Sequence, residues 1–304
     1  MISVVGSGKI GSNVAVHLAL SGLDDITLVD VVQGLPQGEA EDIRHMISAY
    51  GLSIDVRGTN RFEDISGSDI VVVSAGFGRK PGQTRLDLMQ SNAGIIRDVS
   101  SKIKQNCPEC VLVMVTNPLD VMTYIAQKTT GFERSRVVGM SGTLDGARLR
   151  YALSKQAGVS PSSITPMVIG EHGENMVPVY GSTSIGGVSA VSMLSKDKLD
   201  QATKYTRETA ADIISKKGAT IHGPAAAATV LVSAIKKDTH SLITASTLLD
   251  GEYGYRDVVM NVPLIVGRRG VEKIVEINLS QVEKSMMDTA YNTIREAISK
   301  LNLS

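Results

Sequence analysis

Aromatic residues are scarce in this sequence: 304 residues hold three phenylalanines, eight tyrosines and no tryptophan. A surface that stacks single-stranded bases needs aromatic faces set among basic residues. Here, apart from Arg79-Lys80, the basic doublets Lys216-Lys217, Lys236-Lys237 and Arg268-Arg269 are scattered, with no aromatic residues interleaved. A basic excess is also missing, since Lys plus Arg and Asp plus Glu number 31 each and the formal net charge is zero. Coating a nucleic acid or an acidic membrane usually takes such an excess, so neither is expected as a partner. No apolar run approaches the ~20 residues of a membrane helix.

Cysteine is nearly absent. Cys107 and Cys110 form a C-x-x-C, but no second Cys or His pair is spaced to complete a zinc site, and no metal is expected. Pro108 between them and the apolar run Val111–Val115 after them mark a helix-to-strand turn. The first residues show no basic stretch leading into an apolar segment with a cleavage site. With so few cysteines, the expected location is the cytoplasm. Apolar residues at 42% and charged residues at 20% fit a globular chain, and the length suggests two domains of about 150 residues each.

The first half alternates short β-branched runs with helical patterns. Strands are expected at Ile2–Val5, Ile26–Asp30, Ser53–Arg57, Ile70–Ser74, Val111–Thr116 and Arg136–Met140. Continuous apolar runs are what strands buried on both faces of a parallel sheet require. Strand and helix in repetition predict an α/β fold with a doubly wound parallel sheet over residues 1–143. After residue 143 the text becomes α+β. Helices are expected at Asp145–Lys155, Leu194–Lys217 and Pro224–Lys237, with a hairpin from Val258–Val266 to Val271–Ile277 turning at Gly267-Arg268-Arg269-Gly270. The last helix begins with a capping box, Ser280-x-x-Glu283, and carries an apolar stripe Val282, Met286, Ala290, Ile294, Ala297, Leu301. Residues 144–304 are expected to pack tightly on the first half and form a cleft with it.

Gly6-Ser7-Gly8-Lys9-Ile10-Gly11 is a G-x-G-x-x-G turn between a strand and a helix, and Asp30 follows Gly11 by 19 residues. That context is the dinucleotide fingerprint. Gly6 permits the tight turn, Gly8 the approach of a pyrophosphate, and Gly11 close helix–strand packing. The helix N-terminus offers unpaired N–H groups to the phosphates. Asp30 can accept both ribose hydroxyls and would repel a 2′-phosphate. Val31, Val32 and Gln33 supply no cation to offset that repulsion, so NAD is the expected cofactor.

The stretch Ser74-Ala75-Gly76-Phe77-Gly78-Arg79-Lys80-Pro81-Gly82-Gln83-Thr84-Arg85 leaves the carboxyl end of a buried strand, where open α/β sheets bind ligands. It carries Arg79, Lys80 and Arg85 and no acid. A guanidinium matches a carboxylate with two parallel hydrogen bonds. Asp145 and Arg148 lie three apart on one helix face. Gly170-Glu171-His172-Gly173 sets a histidine between glycines, which leaves room for a ligand. His17, His45, His222 and His240 have no such convergent motif.

These motifs, with Thr116-Asn117-Pro118, occur in the order and spacing of one family. The sequence resembles the NAD-dependent malate/lactate dehydrogenases of the lactate-dehydrogenase-like type, on the malate side. The resemblance implies a Rossmann domain followed by an α+β substrate domain. It implies His172 as general acid/base, Asp145 holding the other imidazole nitrogen, and Arg148 clamping the substrate carboxylate. Arg85 would polarise the reacting carbonyl, and Asn117 would bind substrate near the nicotinamide. Gly6, Ser7, Gly8, Lys9, Ile10, Gly11, Asp30, Asn92, Val115, Thr116 and Asn117 would line the cofactor. Arg79 sits where the family separates dicarboxylates from pyruvate, which makes malate and oxaloacetate the expected substrates and lactate the runner-up. By the same analogy the chain is a homo-oligomer, a tetramer in preference to a dimer. A cofactor-binding protein that lost its chemistry would be expected to lose members of the Asp145–Arg148–His172 set, and all three are present.

Overall fold

The computed structural model describes residues 1–78 and 85–301, with the backbone alone for Arg85. The first half holds β1 (Ile2–Val5), α1 (Lys9–Ser21), β2 (Ile26–Val29), α2 (Leu35–Ala49), β3 (Val56–Thr59), β4 (Ile70–Val73), α3 (Arg85–Asn106), β5 (Val111–Met114), α4 (Leu119–Thr130) and β6 (Val137–Gly139). These six strands are parallel, in the order β3-β2-β1-β4-β5-β6. Every residue of β1, β2, β4 and β5 is buried. Burial on both faces is why these strands read as unbroken apolar runs rather than as alternation. The strand order reverses between β1 and β4, and the crevice outside their carboxyl ends is the ligand position of such a sheet.

Four strands of this half stop short of the sequence expectation. β6 covers only Val137–Gly139 of Arg136–Met140, and β2 ends before Asp30, β4 before Ser74 and β5 before Val115. Each of the last three continuations leaves the regular ladder at the carboxyl edge, where the polar side chains of Asp30, Ser74 and Thr116 turn to other work. The third strand lies at Val56–Thr59 rather than Ser53–Arg57.

The second half holds α5 (Ser141–Ala157), β7 (Ile164–Thr165), β8 (Val168–Gly170), β9 (Met176–Pro178), β10 (Ser184–Ile185), β11 (Val188–Ser189), α6 (Ala190–Met193), α7 (Lys196–Lys217), α8 (His222–Lys236), β12 (Ser241–Asp250), β13 (Arg256–Gly267), β14 (Gly270–Ile274) and α9 (Gln281–Ser299). The β13–β14 hairpin turns at Arg268-Arg269, with Gly267 opposite Gly270. Strand β12, ten residues long, has no counterpart in the sequence reading. It pairs antiparallel with β13 along its length and also bridges β6 at Ser246 and Gly139. The sheet therefore continues from the first half into the second, as β6-β12-β13-β8-β9. One apolar core follows it across, from Ile2 and Leu28 to Val262 and Met287. The expected division at 143/144 falls inside α5, which packs on β12 and α8.

Helix α9 has its capping box in both directions, Ser280 Oγ accepting the Glu283 N–H and the Glu283 carboxylate accepting the Ser280 N–H. Its buried stripe is Met287, Ala290, Ile294 and Ile298, and Val282 is 70% exposed. Ala290, Ile294 and Leu301 of the predicted stripe are buried and Met286 and Ala297 half-buried against the core, so Val282 alone of that stripe faces out. No helix among the described residues is long and apolar enough to cross a membrane.

Candidate active site

The site starts at the glycine turn. Gly6 has φ +97°, and a Cβ there would lie 2.7 Å from the Ala75 nitrogen. A Cβ on Gly11 would overlap the Gly6 carbonyl oxygen, so the first turn of α1 lies directly against the strand end. Gly8 has open space around it, and no side chain caps α1 there. An uncapped helix N-terminus beside an open glycine suits an anion. Asp30 is held beside this turn. The Ser7 N–H donates to its Oδ2 at 2.7 Å and the Val32 N–H to its Oδ1 at 2.9 Å. Asn60 donates to the carbonyls of Asp30 and Val32, fixing the end of β2. Ser7 Oγ is buried without a hydrogen-bond partner among the described residues. Phosphates at the helix end and a ribose diol at Asp30 fit these groups, so the residues present suit NAD.

The next wall is built from Ser74–Phe77, α3 and the start of α4. Gly76 passes close to Thr116, whose Cγ2 would be 2.6 Å from a Cβ there. Thr116 donates to the Ala75 carbonyl at 2.7 Å, and the Val115 N–H to the Val73 carbonyl at 2.9 Å. Asn92 is completely buried. Its Oδ1 accepts the Phe77 N–H at 2.8 Å, while its Nδ2 donates to the Asn117 carbonyl at 2.8 Å and to the Phe77 carbonyl at 3.2 Å. The Asn92 amide is thus spent on the backbone of two site segments, and ties the start of the arginine loop to Asn117. Asn117 itself is exposed, and its peptide bond to Pro118 is cis. Arg79, Lys80 and the Arg85 side chain lie outside the described residues.

A second polar cluster lies where α5 meets the turn after β8. Asp145 and Arg148 project from one face of α5, and Gly170, with φ +95°, turns the chain so that His172 meets them. Asp145 Oδ2 lies 2.8 Å from His172 Nδ1, and Asp145 Oδ1 lies 3.1 Å from Arg148 Nη1. All three side chains are largely buried, with 3% exposure for Asp145, 9% for His172 and 16% for Arg148. Burial works against the imidazolium and Arg148 repels it, but the charge and hydrogen bond of Asp145 and the charge of Asp120 outweigh both. His172 is therefore held above its ordinary range. Bonding at Nδ1 leaves Nε2 as the ring nitrogen that could meet a ligand.

Asp120 was not singled out in the sequence. A lone acid in the first turn of a helix reads as an ordinary dipole partner. Here it is buried, accepting the His172 main-chain N–H at 2.7 Å and the Ser246 hydroxyl at 2.6 Å. Burial pushes its carboxyl up to about 6, against the opposing hydrogen bonds.

The remaining candidates stand apart from this site. His240, read as lacking polar company, has Glu272 2.6 Å from Nδ1 and Asp238 3.7 Å from Nε2. The two carboxylates face opposite edges of one exposed ring, and Asp238 already accepts the Arg268 N–H at 2.7 Å. One ligand atom from each of Asp238, His240 and Glu272 lies within 4.8 Å of the others, in a group that is mostly exposed. Cys107 and Cys110 are buried free thiols at the turn between α3 and β5. Burial raises both, and Cys110 reaches about 12, which disfavours the thiolate that metal binding or redox exchange needs. A separate groove of about 600 Å³ beside Arg134, Glu252 and Lys273 contains none of the motifs above.

Comparison with known proteins agrees with this geometry. Residues 1–139 match the lactate/malate dehydrogenase NAD-binding domain, and residues 142–302 match the lactate/malate dehydrogenase α/β C-terminal domain. A malate dehydrogenase of Pyrobaculum islandicum is 43% identical, over 99% of this chain and 98% of that relative. The solved malate dehydrogenase of Aeropyrum pernix superposes with a TM-score of 0.96 at 41% identity, over 99% of this chain and 98% of that one. The lactate dehydrogenase of Cryptosporidium parvum, solved with lactic acid and NAD, gives 0.94 at 35% identity, over 98% and 96%. With a dinucleotide turn at one end of the crevice and a His–Asp–Arg cluster at the other, the chain belongs to the lactate/malate dehydrogenase family of NAD-dependent 2-hydroxy acid dehydrogenases.

Proposed function

We propose that this chain is a malate dehydrogenase, interconverting (S)-malate and oxaloacetate with His172 as general acid/base. The observation that carries the reading is the bridging of His172 and Arg148 by one buried carboxylate, Asp145. That bridge sets a proton-transfer group beside a carboxylate-binding group, as a 2-hydroxy acid requires. Gly6, Ser7, Gly8, Lys9, Ile10 and Gly11 would hold the pyrophosphate, Asp30 the adenosine ribose, and Val115, Thr116 and Asn117 the nicotinamide end. Asn92 serves that end by fixing Asn117. NAD, when bound, supplies the acceptor for the hydride leaving C2.

In malate oxidation His172 Nε2 takes the C2 hydroxyl proton, while Asp145 keeps Nδ1 protonated and offsets the new charge. Arg148 pairs with the carboxylate beside C2. Arg85 polarises the C2 oxygen, acting where negative charge grows during reduction of the carbonyl. Arg79 pairs with the second carboxylate. Facing the methyl of pyruvate it would be left desolvated and unpaired, and an unpaired buried group discriminates far more strongly than a lost apolar contact.

A two-by-two assay tests the reading, with NADH or NADPH against oxaloacetate or pyruvate. Rapid NADH consumption with oxaloacetate and weak activity with pyruvate is expected. Equal or better rates with pyruvate would make the chain a lactate dehydrogenase, a reading that the similarity to a solved lactate dehydrogenase keeps in view. Binding of NADH with no turnover of either acid would make it a non-catalytic NAD-binding protein. We further propose a homo-oligomer, a tetramer in preference to a dimer, and two functional units meeting at residues 143/144. Sedimentation equilibrium measures the first.

A further inference from the structure

We propose that Asp238, His240 and Glu272 form a binding site for a divalent transition-metal cation such as Zn²⁺, which would clasp the turn between α8 and β12 to the β13–β14 hairpin. The site lies apart from the crevice, goes beyond the malate dehydrogenase reading and does not depend on it.

The first observation is the convergence of three ligand types from two segments. Asp238 and His240 stand two apart in the turn after α8, and Glu272 comes from β14, 32 residues beyond His240. One ligand atom of each lies within 4.8 Å of the other two. Glu272 Oε2 is 2.6 Å from His240 Nδ1, and Asp238 Oδ1 is 3.7 Å from His240 Nε2. Zinc holds nitrogen and oxygen ligands at about 2.0–2.2 Å, so two ligands of one ion stand about 3–4 Å apart. Small rotations of these partly exposed side chains bring the cluster to that span.

The second observation is the room left for the two carboxylates. A Cβ on Gly267, the last residue of β13, would lie 2.2 Å from Glu272 Oε1 and 3.0 Å from Asp238 Oδ1. Carboxylates from two segments thus border one point that only a glycine leaves open. Asp238 is also oriented, because its Oδ1 accepts the Arg268 N–H at 2.7 Å. An ionised carboxylate keeps further lone pairs for an ion, and a fixed donor behind it is the usual support of a metal ligand.

The donor set selects the cation. Two carboxylates around a neutral imidazole favour a divalent charge. The Arg268 guanidinium lies 3.9 Å from Asp238 Oδ2, while among the described residues no Lys or Arg pairs with Glu272. Mg²⁺ and Ca²⁺ take oxygen ligands, whereas an imidazole nitrogen beside carboxylates suits zinc and its neighbours. Three protein ligands leave the remaining coordination to water. An ion held only by the folded chain stabilises it by mass action.

The test titrates the metal-free, full-length protein with zinc chloride by calorimetry, in excess magnesium. One zinc per chain is expected, released by EDTA. His240→Ala and Glu272→Gln each remove a ligand and should bind zinc at least about tenfold more weakly. Gly267→Ala keeps all three ligands but puts a methyl group where Glu272 Oε1 lies, and should weaken zinc about 10–100-fold. Saturating zinc should raise the thermal midpoint of the natural protein by about 3 °C and leave the variants unmoved. NADH binding should be equal in all four proteins, so the result stands whichever acid the enzyme turns over. No zinc uptake by the natural protein overturns the proposal. So does equal zinc affinity in any folded variant, since the metal is then an adventitious ion only, held elsewhere. Should Gly267→Ala not fold, the two ligand variants at the surface decide.

Discussion

The Oδ2 of Asp145 lies 2.8 Å from the Nδ1 of His172, a contact made by residues 27 apart in the chain. The helix α5 and the turn after β8 are brought together for it by strands β12 and β13, which neither residue belongs to. The His172–Asp145 contact is therefore a product of the sheet's extension past β6. Five predictions follow from this arrangement and from the crevice around it.

His172→Asn should bind NADH as the natural protein does and lose about 10²–10⁴-fold in kcat, the usual range for a positioned acid or base. Fluorescence titration and steady-state rates check the two parts. Full turnover by the variant would remove His172 from the reaction.

The direction of the His172 shift sets the pH dependence. A group held above its ordinary value stays protonated to higher pH. In the proposed mechanism oxaloacetate reduction uses the imidazolium, so its rate should persist through pH 6.5 and fall as pH rises through the raised value. Malate oxidation uses the neutral ring and should rise over the same interval. Asp145→Asn removes the charge and hydrogen bond that raise His172 and should move both limbs to lower pH. Rate profiles in both directions at saturating cofactor measure this.

Asp30→Ala removes a carboxylate held in place by the Ser7 and Val32 N–H groups. Losing hydrogen bonds to a charged acceptor should weaken NADH binding about 10–100-fold. NADPH binding should improve relative to NADH, because the repulsion of its 2′-phosphate is gone. Dissociation constants for both cofactors decide it, and an unchanged ratio would take the ribose away from Asp30.

Gly11→Ala would force a methyl group onto the Gly6 carbonyl oxygen. Backbone cannot move aside as a flexible side chain can, so a loss of about 3 kcal/mol or more in stability is expected, with weaker NADH binding. Thermal unfolding with and without NADH checks it. Gly8→Ala, with open space around its Cβ, should unfold near the natural temperature.

Arg79→Gln should lower kcat/KM for oxaloacetate by orders of magnitude relative to pyruvate, because a dicarboxylate loses a charged partner. If the ratio holds, another residue reads the second carboxylate.

Much of this protein is local and was therefore legible. The parallel strands announce themselves because both faces are buried, which makes each a continuous apolar run. The glycine turn, Asp30 and the capping box at Ser280 depend on neighbours within one turn or one strand–helix unit, and spacing carries that information. Strand β12 carries no sequence signature because Ser241–Asp250 mixes Ser and Thr with apolar residues and lacks a clear alternation; it is a strand because β13 pairs with it along its length. Val282 was expected on the buried face of α9, but amphipathic spacing says nothing of where the core ends.

What spacing could not supply is which groups are already taken. Asn92 and Asn117 look alike as polar residues near a ligand edge. Only the packed structure consumes the Asn92 amide on Phe77 and Asn117 while leaving Asn117 exposed. Asp120 looked like a helix-start acid and became the support of His172 because β8, β12 and α4 converge there. The amino-acid sequence by itself determined the Rossmann half, the cofactor turn and the identity of the catalytic candidates, since those rest on short-range periodicity and motif spacing. The tertiary structure alone decided how His172 is held and charged, because burial and opposing carboxylates act through space between segments that the chain keeps far apart.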